Sequence, residues 1–146
     1  MNKINKTVEL YKKKEIDKSD FIKNMYSKHH SKLYEYAEFL PKTDIEKITI
    51  ENNRVITTSR KHGIKIECNS GDHRIAPIET LNFFDYEKDE SDMIEKLIFF
   101  GDEKKSFFDI GANIGWYSIM AAKSNRNILV NSFEPIPKTF ASLKGN

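Results

Sequence analysis

Two stretches decide how this chain folds: Phe107-Phe108-Asp109-Ile110-Gly111-Ala112-Asn113-Ile114-Gly115-Trp116-Tyr117-Ser118 and Ile128-Leu129-Val130-Asn131-Ser132-Phe133-Glu134-Pro135. Ser106 to Ile110 is short and apolar, as a parallel strand buried on both faces should be. A sharp turn follows at Gly111, and Ile114 to Ala122 reads as a largely apolar helix. Ile128 to Phe133 predicts the next strand, and Lys138 to Leu143 the start of another helix. Strand, turn, helix and strand in this order open an α/β domain with a parallel sheet.

The turn has the chemistry of a nucleotide site. Gly111 permits a tight bend and a close backbone approach to a ligand. Gly115 lets the new helix pack close to the sheet. The helix N-terminus offers unpaired N–H groups and the positive end of its dipole, where a dinucleotide would place its pyrophosphate. Glu134 stands at the carboxyl end of the second strand, where an acid accepts hydrogen bonds from both ribose hydroxyls. Together these elements predict the front end of a Rossmann-like cofactor domain.

The string Phe108 to Ser118, followed by Ser132-Phe133-Glu134-Pro135-Ile136-Pro137, closely resembles the FkbM family of S-adenosylmethionine-dependent methyltransferases. The usual methyltransferase loop has an acid before three alternating glycines. Asn113 replaces the middle one here, as in the FkbM-type pattern. Tyr86-Glu87 resembles that family's upstream segment. The likeness is dense over residues 84–146, weaker over 45–83 and absent before that.

The resemblance implies S-adenosylmethionine as cofactor. Asp109 would lie near the methionine amino group, directly or through water. Gly111, Ala112 and Asn113 would form the loop under methionine and ribose, and Gly115 would seat the helix. Glu134 would hold the ribose diol, Pro135 and Ile136 would flank the adenine, and Tyr86 and Glu87 would close the pocket from above. Trp116 and Tyr117 are expected to pack the helix rather than touch cofactor. A sulfonium is cationic and suits acids and carbonyls, whereas an acid beside a pyrophosphate gains nothing. The chemistry of Asp109 therefore favours S-adenosylmethionine over NAD. The implied reaction is O-methylation of a sugar or related hydroxyl metabolite, so the partner would be a small-molecule or glycan acceptor. No proton acceptor and no metal ligand is named by the sequence.

Upstream, Asp89 to Phe100 predicts a helix, with Asp89, Glu90 and Asp92 as first-turn acids and Gly101 as a C-cap. Residues 73–87 read as irregular, with Pro77 inside. His73 and Arg74 in that stretch are weak substrate candidates. Ile45, Ile48 and Ile50, then Val55, Ile56 and Thr58, then Ile64, Ile66 and Cys68 predict an antiparallel meander. Its turns are expected at Glu51-Asn52-Asn53-Arg54 and Lys61-His62-Gly63, and a further turn at Asn69-Ser70-Gly71-Asp72. Residues 3–14 predict a short helix, and Phe21 to Leu40 a long one, capped by Ser19 or Asp20 and ended by Pro41. On its long helix, one of His29 and His30 is expected to face the core and the other solvent. The expected fold class is thus α/β: the start of a Rossmann-like methyltransferase parallel sheet, preceded by an N-terminal helical hairpin and a small antiparallel β-meander. The corresponding divisions are 1–42, 43–87 and 88–146.

Composition narrows the function classes. The 146 residues carry 24 basic and 22 acidic side chains, a net charge of +2. The clusters Lys12-Lys13-Lys14 and Lys104-Lys105 alternate with acids, so nucleic acid is not an expected partner. Cys68 is the single cysteine, which excludes an internal disulfide and a Cys-rich metal site; it is expected to be a small buried hydrophobe. The longest apolar runs, such as Leu97 to Phe100, are far too short to span a membrane. With no apolar segment behind the polar N-terminus, a cytoplasmic protein is expected. The N-terminal hairpin is the expected place for a homo-oligomer contact or a substrate cap. Only two parallel strands are present, which leaves an apolar edge uncovered. The expectation is an N-terminal fragment of a methyltransferase, with a non-catalytic interaction module as the alternative.

Overall fold

The computed structural model describes residues 2–69, 71–101 and 104–146. Helix α1 (Lys3–Lys12) starts where the Asn2 side chain accepts the Asn5 N–H at 2.8 Å. Helix α2 (Lys18–Met25) is capped by Asp17, which accepts the Asp20 N–H at 2.8 Å. The cap thus lies upstream of the expected Ser19 or Asp20, because a capping side chain reaches forward to the third residue of the helix. The helix expected from Phe21 to Leu40 is present as an unbroken helical run from Lys18 to Phe39, with one irregular turn inside it. A π-helical turn, Tyr26–His30, separates α2 from α3 (Ser31–Phe39). Of the apolar positions at three-and-four spacing along this run, Ile22, Tyr26, Leu33, Tyr36 and Ala37 are exposed, while Met25 and Leu40 are half-buried. Tyr11 and Phe21 stack with centroids 4.5 Å apart, joining α1 to α2. His29 is half-buried with Nε2 unpartnered, and His30 is exposed. These helices form one compact unit ending at Phe39; the second unit is Leu40–Asn146.

In the second unit, β1 (Ile45–Glu51), β2 (Arg54–Ser59) and β3 (Lys65–Glu67) form an antiparallel sheet in the order β1-β2-β3. Asn52 and Asn53 turn the first hairpin with φ of 49° and 61°. Two successive left-handed residues make the turn whose twist matches the strands, and asparagine tolerates that conformation. Of the turn expected at Asn69 to Asp72, Ser70 lies outside the described residues. Residues 73–87, expected to be irregular, contain helix α4 (Ala76–Phe83). Pro77 sits in its first turn, where no N–H is needed.

Helix α5 (Lys88–Phe99) carries Asp89 and Glu90 in its first turn, as expected. Asp92 does more than face the dipole. It accepts a hydrogen bond from Lys61 at 2.7 Å and pairs with Lys88, tying α5 to the β2–β3 turn. These two ammonium groups hold its carboxyl down at about 2. A carboxyl depressed in the fold contributes stability that is present above its ordinary pKa and lost as pH falls through the folded value. Wild type should therefore out-melt Asp92→Asn at pH 6, and the gap should close between pH 4 and pH 2 in circular-dichroism melts. A gap independent of pH would disprove the ion-pair role.

Strands β4 (Ser106–Ile110) and β5 (Leu129–Phe133) pair in parallel, Ser106 opposite Leu129 through Ile110 opposite Phe133. Helix α6 (Trp116–Ser124) connects them and α7 (Pro137–Gly145) follows. Helix α6 starts two residues later than the periodicity suggests, because Gly115 has φ 95° and is not helical. The core cluster joins β3, α4 and α6 through Ile66, Ala76, Trp116 and Met120. Cys68 is half-buried at its edge, not inside it, and burial pushes its thiol pKa up. On the other sheet face Phe108, Ile110, Leu129 and Phe133 are exposed, with the Phe108 and Phe133 rings stacked. The uncovered apolar surface expected for two lone parallel strands is present. The chain is a mixed α/β fold with a three-stranded antiparallel sheet and a two-stranded parallel sheet.

Candidate functional site at the ends of the parallel strands

The turn after β4 is built on left-handed backbone: φ is 84° at Gly111, 51° at Asn113 and 95° at Gly115. Its N–H groups fold back onto β5. Gly111 and Ala112 both donate to the Phe133 carbonyl, at 2.8 and 2.9 Å. Glu134 continues the clamp with its side chain. Oε2 accepts the Asn113 N–H and Oε1 the Ile136 N–H, each at 2.9 Å. The glycine turn and the strand-end acid are therefore one structure.

Beside them lies an open pocket of about 570 Å³, lined by Ile110, Gly111, Ser132, Phe133, Glu134, Pro135 and Phe140. Ile110, Phe133, Pro135 and Phe140 make it mainly apolar, with one carboxylate at the rim. A Cβ built on Gly111 meets nothing within 4 Å, so the backbone there is open to approach. Among the residues read from the sequence, Gly111, Glu134 and Pro135 line this pocket.

The other sequence-predicted residues are placed differently. Asp109 is 9% exposed and turned toward α6, where its Oδ2 accepts the Ser118 hydroxyl at 2.6 Å. Ser118 and Ser132 hydroxyls are also 2.6 Å apart. With the Ser118 hydroxyl donating to Asp109, Ser132 donates to Ser118, forming a short hydrogen-bond chain from pocket wall to carboxylate. Ala112 is buried. Gly115 seats α6 against α7 rather than against the sheet: its Cβ would stand 2.7 Å from Leu143 Cδ1.

Tyr86 and Glu87, just before α5, pack against Trp116 and Tyr117 of α6. Tyr86 meets Trp116 edge-on at 5.3 Å and Tyr117 at 6.0 Å. The Tyr117 hydroxyl donates to Glu87. Burial, helped by the charges of Glu87 and Glu79, pushes the Tyr86 hydroxyl up to about 12. Burial and the bond to Glu87 raise Tyr117 as well. Both hydroxyls keep their protons at neutral pH. Trp116 is 5% exposed and packs the helix, as expected.

Sequence reasoning missed Ser118, Ser132, Phe140 and Leu143. Ser132 had a legible signal: it is the register partner of Asp109 on the same sheet face. Among the described residues no three His, Cys, Asp or Glu side chains gather as a metal site. Among them, too, no helix is long and apolar enough to cross a membrane.

Likeness to known proteins is local. Over 39 residues, 27% of this chain, it is 44% identical with the 31-O-demethyl-FK506 methyltransferase FkbM of Streptomyces tacrolimicus. That stretch is 15% of the Streptomyces protein's length. No family model matches the chain and no solved structure matches it. The similarity is thus a short one to a methyltransferase.

Proposed function

We propose that residues 88–146 form the donor-binding part of a Rossmann-like, S-adenosylmethionine-dependent methyltransferase, acting on a hydroxyl of a sugar or related metabolite. The observation that carries this reading is the joining of the glycine turn to Glu134 through the Asn113 N–H, beside a largely apolar pocket. The local likeness to a methyltransferase supports it.

The residues present fit an adenosine group better than a pyrophosphate. Phe133, Pro135 and Phe140 offer apolar surface for a purine, and Glu134 offers carboxylate oxygens for a diol. Each oxygen already accepts one backbone N–H, but a carboxylate has about four lone-pair directions in all, so acceptor capacity remains. Gly111 leaves its backbone bare for close approach. Glu134 is the one acid lining the pocket, and a carboxylate there suits a cationic cofactor and opposes an anionic one.

S-adenosylmethionine would supply an electrophilic methyl group on its sulfonium. The chain's own residues do the binding and orienting: Glu134 fixes the turn and the ribose position, and the buried Asp109–Ser118–Ser132 hydrogen bonds hold the pocket wall. Positioning of donor and acceptor is the main catalytic contribution in such a transfer. The test is calorimetric titration of the full chain with S-adenosylmethionine, S-adenosylhomocysteine and NAD. Saturable one-to-one binding of the first two, and none of NAD, is expected. A folded chain that binds neither sulfur compound would overturn the proposal.

A further inference from the structure

A second groove, of about 410 Å³, is lined by Asn113 together with Asp72, His73, Arg74, Lys138, Thr139 and Ser142 among others. It shares no lining residue with the Glu134 pocket. Its chemistry is also opposite. Arg74 and Lys138 come from separate segments, and neither forms an ion pair among the described residues. Asp72 is the one acid in the lining, and its Oδ1 is already engaged by the Arg74 backbone N–H at 3.1 Å. Asn69 Nδ2 donates to Ser142 Oγ at 2.9 Å, which leaves the Ser142 hydroxyl hydrogen to donate elsewhere.

The geometry points to a binding site for a phosphate-bearing small molecule in this groove, separate from the cofactor pocket and independent of the cofactor reading. A guanidinium and an ammonium line it together with the hydroxyls of Thr139 and Ser142 and the ring of His73. Donors carried by two separate segments can surround a tetrahedral oxyanion, and an arginine fork suits two of its oxygens. The volume falls within the range of about 300–1,000 Å³ typical of small-molecule sites, large enough for more than the anion itself. A flat carboxylate would use fewer of these donors.

Inorganic phosphate is the probe. The full chain is titrated by two-dimensional NMR at fixed ionic strength, with acetate as the comparison anion. Saturable shifts confined to residues around Arg74, Asn113 and Ser142 are expected, with acetate markedly weaker. Arg74→Ala with Lys138→Ala should weaken phosphate at least about tenfold, since each charged hydrogen bond is worth that factor or more. Both side chains are exposed, so the fold should be kept. Lys144→Ala, on the same helix outside the groove, should change nothing. Phosphate that does not saturate, acetate that binds equally well, or Lys144→Ala that weakens binding as much as the double variant would each overturn the site.

Discussion

Gly115→Val should unfold more of this protein's stability than any other single change in the turn. Gly115 has φ 95°, and its missing Cβ would lie 2.7 Å from Leu143 Cδ1. A left-handed backbone at a non-glycine residue costs about 1–3 kcal/mol, and a β-branched one more. Overpacking adds about 1–3 kcal/mol more. Leu143 is the free end of a side chain and can swing away, so the two costs are separable. In urea melts, Gly115→Ala with Leu143→Ala should be less destabilised than the two single changes sum to, because the clash is gone while the backbone cost remains. Strict additivity would mean that Leu143 is not what Gly115 makes room for.

The second large effect is on cofactor affinity. Glu134→Ala removes the acceptor of both the Asn113 and Ile136 N–H groups, and with them the carboxylate proposed for the ribose. Hydrogen bonds to charged groups contribute about 1.5–3 kcal/mol each. S-adenosylmethionine affinity should therefore fall at least about tenfold in calorimetry. Glu134→Gln keeps one acceptor oxygen but loses the charge, and should fall between the two. Because Asn113 and Ile136 are exposed and their N–H groups can turn to water, the stability loss should be much smaller than the affinity loss. Unchanged affinity in a folded Glu134→Ala protein would refute the ribose assignment.

What could be read in advance was what depends on neighbours in the chain. The short apolar run of β4, the glycine spacing and the β5 run all have local signatures, and the antiparallel meander has β-branched alternation with asparagines at its turn. What escaped was set by partners far along the sequence. Residues 73–87, with Pro77 inside, read as irregular until the place of that proline in the first turn of α4 is known. Gly115 makes room for Leu143 on α7, not for the sheet. Asp109 carries the signature of a ligand-facing acid, yet its carboxylate turns inward to Ser118, which lies on the next helix. Tyr117 finds Glu87 across 30 positions. The π-helical turn at Tyr26–His30 has no signature in side-chain spacing, since one extra residue in a turn leaves the apolar pattern on either side intact.

The side-chain amide of Asn146 ties these pieces together. It accepts the Glu67 N–H at 3.0 Å and donates to the Ile114 carbonyl at 2.9 Å, so one residue bridges β3 and the glycine turn. The Glu67 contact spans 79 positions. Contacts of such separation carry a high loop-closure cost and form after local ones. Docking of α7 is thus expected to come late and to lock the meander onto the turn. The Glu67 amide becomes its natural sentinel: its hydrogen exchange measures how often the whole clasp lets go, rather than how often β3 frays.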